Sequence, residues 1–296
     1  MGRIESQRTP RPRRKSGHPV PRPFLKWVGG KRQLLEELTR HAPSELGDYH
    51  EPFVGGGALF FELYRSGRLG ERRAFLSDVN KELISAYSAV KRHVAKIVRL
   101  LNEHRYEKDH YYRVRALDPW SLSVAERAAR TIFLNRTGFN GLYRVNSKGG
   151  FNVPFGRYKD PLICDERNLR AVSRALKSVA LSCEPFDRVV DRASKGDFVY
   201  FDPPYVPLSE TANFVNYAQN GFGLADQERL AEVFRKLAEN RVFVMLSNSD
   251  TPWVREHYRG FPFVEVKAIR NVNSRSDKRG PVGELIVMSY PPGDGT

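Results

Sequence analysis

The chain has 296 residues, 40% of them hydrophobic, and its 49 Lys and Arg stand against 34 Asp and Glu, a formal charge of +15. That length allows one large domain or two modest ones with a proper core, and the charge favours a polyanionic partner, most simply nucleic acid. No run of about 18 apolar residues suggests a membrane span, and the amino-terminal segment lacks the apolar stretch of a secretory signal. The two cysteines, Cys164 and Cys183, make neither a disulfide framework nor a zinc cluster. A reduced, cytoplasmic protein without a metal is expected.

In chain order, residues 1–22 come first. Seven cations there face only Glu5, a net +6, which leaves +9 on the rest. Rich in Pro, Ser and Gly and without apolar periodicity, this segment reads as a disordered basic tail that adds at most non-specific attraction to phosphates. Leu34, Leu35 and Leu38 follow the Gly29-Gly30 turn at helical spacing. Residues 49–54 read as a strand running into Gly55-Gly56-Gly57, and 58–64 as a helix. A second strand, 74–77, ends at Asp78, and a long helix covers 83–101. This is a βαβ unit with a glycine turn after its first strand.

The stretch 95–184 differs in composition. It is rich in Arg, Tyr and Asn, with glycines at 138, 141, 149, 150 and 156. It holds one clear helix, about 124–134, and then a polar loop or hairpin, and it reads as an insertion into an α/β core. Alternation then returns: a strand at 198–201, a helix near 226–239 with Leu230, Val233, Phe234 and Leu237 on one face, a strand at 242–246, and strands near 263–269 and 284–289. No internal repeat is present. The expected domains are the tail 1–22, a core of 23–94 and 185–291, and the insertion 95–184.

Three places carry chemistry. Asp202-Pro203-Pro204-Tyr205 follows an apolar strand. Two prolines stop the strand and remove two donors, leaving a carboxylate, two carbonyls and an aromatic face together. Such a corner suits a planar group with an exocyclic amine, held by Asp202 and a prolyl carbonyl and stacked on Tyr205. Taken alone, the tetrapeptide is equally a common strand-to-turn stop. The second place is Glu51-Pro52-Phe53-Val54-Gly55-Gly56-Gly57, where glycines let a ligand approach the backbone. Asp78, 23 residues after Gly55, stands where nucleotide-binding units keep an acid for ribose hydroxyls. The loop does not follow GxGxxG, so NAD is less natural than a cofactor without a pyrophosphate, and S-adenosylmethionine fits better. The third place, Phe24-Leu25-Lys26-Trp27-Val28-Gly29-Gly30-Lys31, offers a cation for its carboxylate in Lys31 and an aromatic wall in Trp27.

Together these segments resemble the Dam-type family of DNA adenine-N6 methyltransferases. Asp78-Val79-Asn80, Asn135-Arg136-Thr137-Gly138-Phe139-Asn140-Gly141-Leu142-Tyr143-Arg144, Phe151-Asn152-Val153-Pro154-Phe155-Gly156 and the loop Leu208-Ser209-Glu210-Thr211-Ala212-Asn213-Phe214 add to the match, which spans roughly 23–290 in the family's order. The resemblance implies a Rossmann-like α/β core with an inserted, mainly helical target-recognition domain carrying a β-hairpin. It places Trp27, Lys31, Phe53, Gly55, Gly57, Asp78, Phe186 and Asp202 around the cofactor, and makes Asp202, Pro203, Pro204 and Tyr205 the catalytic set. The target adenine is swung out of the duplex; Asp202 and the Pro203 carbonyl take its N6 hydrogens, Tyr205 stacks on it, and attack on the methyl is direct.

In the insertion, Arg144 is the candidate for guanine O6 and N7. Asn140 and Asn146 are candidates for base or phosphate, Leu142 and Pro154 for a thymine methyl, Phe139 for a wedge in the stack, and Lys26 for a neighbouring base or phosphate. GATC is the leading site. His41, His93 and His257 have no catalytic pattern around them, and the basic loop 271–279 is expected near the DNA backbone. A monomer or weak dimer associated with the nucleoid through DNA is expected. Three rivals stay open: an RNA adenine methyltransferase, a catalytically silent DNA-binding regulator and an NAD-dependent oxidoreductase. Membership of a restriction-modification system, a phage or a housekeeping programme is also open.

Overall fold

The structure is a computed structural model that describes residues 19–27, 34–146, 149–206, 222–269 and 281–293. Among them seven strands form one sheet: β1 (Tyr49–Glu51), β2 (Ala74–Asp78), β3 (Ala180–Cys183), β4 (Phe198–Phe201), β5 (Phe243–Ser249), β6 (Phe263–Ile269) and β7 (Pro281–Met288). Their order is β3-β2-β1-β4-β5-β7-β6. The first five are paired in parallel, and β7 runs antiparallel to both β5 and β6.

The described helices are α1 (Leu35–His41), α2 (Ala58–Arg65), α3 (Lys81–Glu103), α4 (Lys108–Ala116), α5 (Val124–Thr137), α6 (Glu166–Ala175), α7 (Leu224–Glu239) and α8 (Pro252–His257). Strand β4 shows how they are arranged. All four of its residues are buried, as a central parallel strand covered on both faces must be. Side chains alternate across the sheet: Phe198 and Tyr200 join the core under α1 to α6, whereas Val199 and Phe201 join a second core under α7 and α8. The result is a doubly wound, Rossmann-like sheet.

The apolar elements fall where the sequence puts them, within a few residues. The stretch 95–184 holds more order than expected. Three helices, α4, α5 and α6, lie within it, where one was clear from sequence. Helix α5 announces itself by a capping box between Ser123 and Glu126. Helix α4 buries only Tyr111 and Val114, so it carries little apolar signal. Strand β3 was also not foreseen: an edge strand with exposed ends and a small, mixed sequence has no strand pattern to read. It pairs with β2, so the sheet resumes at Ala180. Helix α3 starts in the core and continues past residue 94, kinked at His93. Arg22, counted with the tail, is fastened to the fold: its backbone N–H bonds Asn168 at 3.0 Å and its guanidinium pairs with Asp165 at 2.5 Å. The tail 1–18, Lys31, the loop 208–214 and the loop 271–279 lie outside the described residues.

Candidate active site

In a doubly wound sheet the ligand crevice opens outside the carboxyl ends of the strands, where the strand order reverses. Here that point lies between β1 and β4. The chain leaves β1 through the glycine loop and leaves β4 through Asp202-Pro203-Pro204-Tyr205, so the fold brings the two motifs side by side across some 150 residues of sequence.

The glycine loop is tightly packed. Gly55 has φ +45°, and a Cβ there would stand 2.7 Å from Cδ1 of Trp27, so only glycine fits beneath that indole. The Gly55 N–H donates to Asp78 Oδ2 at 3.2 Å, and the Asn80 N–H donates to Oδ1 at 2.9 Å. Burial raises the Asp78 carboxyl while these N–H groups oppose the rise. Gly57 begins α2. The Phe53 ring stacks on Phe186 with centroids 5.4 Å apart, and meets Phe201 and Phe222 edge-on at 6.3 and 5.5 Å. Trp27, Gly55 and Asp78 are thus in contact, Phe53 and Phe186 stack beside Phe201, and Asp202 follows Phe201 at the end of the neighbouring strand. Val79, next to Asp78, is 69% exposed, an apolar side chain open at the same edge.

The prolyl corner is held from behind by buried amides. Gln227, 0% exposed at the start of α7, donates to the Pro204 carbonyl at 2.6 Å. Its own carbonyl accepts from Asn248 of β5 at 3.2 Å. Asn248 Oδ1 accepts the N–H groups of Val206 and Ser249 at 3.1 and 2.9 Å, and Ser249 Oγ donates to the Val206 carbonyl at 2.5 Å. The expectation of two open carbonyls is thereby corrected, because the Pro204 oxygen already has a donor. The Tyr205 hydroxyl donates to Glu284 of β7 at 3.0 Å. Burial, then the charges of Asp202 and Glu284, push that phenol well above its ordinary range, so it stays protonated.

Glu51, at the end of β1, was not singled out from sequence. It is buried and accepts the Tyr49 hydroxyl at 3.0 Å. Burial pushes its carboxyl up to about 8; Asp202 adds to the rise, against the hydrogen bonds from Tyr49 and Phe60. Two carboxyl groups thus share the crevice, and the buried one keeps its proton near neutral pH. Gln227, Asn248 and Glu284 were missed as well. The signal present was polar residues, Ser247-Asn248-Ser249 and Glu284, inside otherwise apolar strands.

The insertion carries an exposed turn and hairpin. Phe139, 47% exposed, bonds through its N–H to the Pro154 carbonyl at 2.9 Å, so the two residues sit side by side. Asn140, at φ 53°, is exposed, and Leu142 is half-buried. Residues 144–146 and 149–152 pair as a hairpin, with the Asn152 N–H on the Arg144 carbonyl at 2.9 Å and a bridge between Val145 and Phe151. Asn152 also steadies Arg144, accepting its Nε at 2.7 Å. The Asn146 side chain serves the hairpin by accepting the Gly150 N–H at 2.9 Å. Lys26 is exposed, its ammonium 4.5 Å from the Tyr158 ring centroid.

Other features stand apart from this crevice. A groove of about 1150 Å³ is lined by Arg40, Arg65, Arg68, Phe243 and Tyr290, at the amino edge of the parallel strands. His41 closes α1, His93 marks the kink of α3 and His257 stacks on Trp253. Among the described residues no group of His, Cys, Asp or Glu could hold a metal ion, and no helix is long and apolar enough to cross a membrane.

Fold and crevice define a doubly wound enzyme whose ligands meet where a glycine loop faces a prolyl corner. The chain belongs to the D12 class of N6 adenine-specific DNA methyltransferases, whose family model matches residues 27–272. It is 44% identical over 277 residues to the type II methyltransferase M1.LlaDCHI of Lactococcus lactis subsp. cremoris, covering 91% of this chain and 95% of that protein. To the type II methyltransferase M.MjaIII of Methanocaldococcus jannaschii it is 41% identical over 290 residues, covering 91% and 99%. To the DNA adenine methylase of Haemophilus influenzae it is 37% identical over 273 residues, covering 90% and 93%. It is an adenine-specific DNA methyltransferase with DNA as its substrate, which removes the oxidoreductase reading.

Proposed function

We propose that the protein methylates N6 of an adenine within GATC in duplex DNA, after swinging that adenine out of the helix, with S-adenosylmethionine as the donor. The observation that carries this reading is the meeting of the glycine loop, Asp78 and the Asp202 corner at one switch point of the sheet. The residues present fit the donor: an acid at Asp78 for ribose hydroxyls, held by the Gly55 N–H, and aromatic side chains in the stacked pair Phe53–Phe186 and in Trp27 over Gly55. S-adenosylmethionine supplies an electrophilic methyl group on a sulfonium. Asp202 accepts one N6 hydrogen and the Pro203 carbonyl the other, since the Pro204 oxygen is engaged by Gln227. Both contacts turn the nitrogen lone pair toward the methyl carbon. With the donor bound, its methyl would pass to N6, and Asp202 would take up the N6 proton made acidic by the transfer. Tyr205, anchored on Glu284, presents its ring to the base. Catalysis here is mainly positioning.

Residues 23–94 and 185–291 form the catalytic core in this reading, joined by β3 through its pairing with β2, and the rest of 95–184 forms the recognition insertion. Phe139 fills the gap left by the extruded base, Arg144 reads guanine, Leu142 and Pro154 contact a thymine methyl, and Lys26, Asn140 and Asn146 contact base or phosphate. Sequencing-based mapping of methylated adenine, after expression in a host without its own methylation, tests it. Modification of the GATC adenines supports the proposal, and modification confined to another sequence contradicts it.

A further inference from the structure

Asn135 lies in the last turn of α5 and is 1% exposed. Its amide is bonded on both sides. Oδ1 accepts the Lys26 N–H at 2.7 Å, and Nδ2 donates to the Lys26 carbonyl at 2.7 Å and to the Gly141 carbonyl at 2.9 Å. The first two bonds close a ring, the pairing a neighbouring strand would give. The third ties in the turn that carries Phe139 and Asn140. Gly141, at φ +64°, lies so close that a Cβ there would stand 2.3 Å from Cδ of Lys26.

The contact continues toward the cofactor side. Trp27, the next residue, stacks on Tyr143 with centroids 5.2 Å apart and roofs Gly55. Tyr143 in turn donates to Glu82, in the first turn of α3, at 3.0 Å. One buried amide therefore joins the segment bearing Lys26 and Trp27 to the turn bearing Phe139, five residues before Arg144.

We infer that Asn135 is a positioning residue that sets the register between the base-reading turn and the Lys26–Trp27 segment, and that it thereby governs both site discrimination and the coupling of DNA binding to cofactor binding. This deepens the proposed function and rests on it for the DNA-facing roles of Lys26, Phe139 and Arg144. The amide is required because both carbonyls need a donor; a carboxylate of the same shape sets its oxygen against theirs.

Asn168 provides the comparison. It closes the same ring on Arg22, four residues earlier, accepting the N–H and donating to the carbonyl at 3.0 Å each. In Asn168→Asp a clamp on the same segment is broken at a distance from the recognition turn. The test compares Asn135→Asp and Asn168→Asp with the parent enzyme. The measurements are kcat/KM on the mapped duplex and on duplexes changed at one base, and the Kd for S-adenosylmethionine with and without the mapped duplex.

Asn135→Asp is expected to lose at least about tenfold in discrimination, and its two cofactor Kd values should converge. Asn168→Asp should keep the parent's discrimination and Kd ratio. Gly141→Ala pushes Lys26 away while leaving the amide intact, and it should share the Asn135→Asp losses; if Asn135→Asp does not fold, Gly141→Ala decides alone. Parental discrimination in either Asn135→Asp or Gly141→Ala, or an equal loss in Asn168→Asp, overturns the inference. Failure of the underlying reading shows separately, as a parent enzyme that does not discriminate among the duplexes.

Discussion

The prolyl corner and the turn at Phe139, to which the proposed function assigns catalysis and recognition, are built oppositely. The corner is backed by buried amides from α7 and β5 and by Glu284 from β7. The turn exposes Phe139, Asn140, Arg144 and Pro154, and the hairpin beyond it is held by a few backbone bonds and by Asn146 and Asn152. Atoms that must meet a reacting carbon need fixed supports. Side chains that read a groove must reach outward, and their identity can change without disturbing a core.

The largest blow to the corner short of Asp202 itself should come from Gln227→Met. It removes the donor to Pro204 and the acceptor for Asn248, and a misplacement of this kind is expected to cut kcat by about 10²-fold. Affinity for DNA should stay near the parent's in a filter or anisotropy titration. A fall in affinity with kcat intact would mean that the corner serves binding rather than catalysis. On the other side, Arg144→Ala should relax site choice by about 1–3 kcal/mol at one base, read as kcat/KM on duplexes differing at that base, while the rate of a single turnover at saturating DNA changes little. Equal rates of the parent on cognate and guanine-substituted duplexes would refute the Arg144 role.

A smaller effect is expected from Tyr205→Phe, which keeps the ring and loses the bond to Glu284. Its cost should be about 1 kcal/mol in kcat/KM. The gentlest test concerns Glu51, whose carboxyl is raised from 4.5 to about 8 in the folded protein. The folded state holds a proton that the unfolded chain releases between those values. The stability from this group is therefore complete below about pH 4.5 and is lost as the pH climbs through about 8. Across that window the Tm of Glu51→Gln should fall less than that of the parent.

The parts of this molecule legible in its sequence share a physical reason. Phe198–Phe201 is a continuous apolar run because a central parallel strand is buried on both faces; Asp202 stands out because it ends that run, Asp78 because it ends β2, and Gly55 because it opens the glycine loop after β1. What escaped notice depends on pairs far apart in the chain. Tyr205 meets Glu284, Gln227 meets Pro204 and Asn135 meets Lys26 only after the sheet and the insertion have formed. Helix α6 keeps a regular buried side, Asn168, Leu169, Ala171, Val172 and Ala175, but only Leu169 and Val172 on it are large and apolar, and strand β3 is small and mixed, so neither stands out as an apolar run.

The account stands on Asp202 as the group that aims the adenine nitrogen. Single-turnover methyl transfer by Asp202→Ala, measured beside its affinity for the same duplex, tests this most directly. Transfer should fall by at least about 10²–10³-fold while binding stays within a few-fold of the parent. Transfer at the parent's rate, or a loss explained wholly by weaker binding, would contradict it.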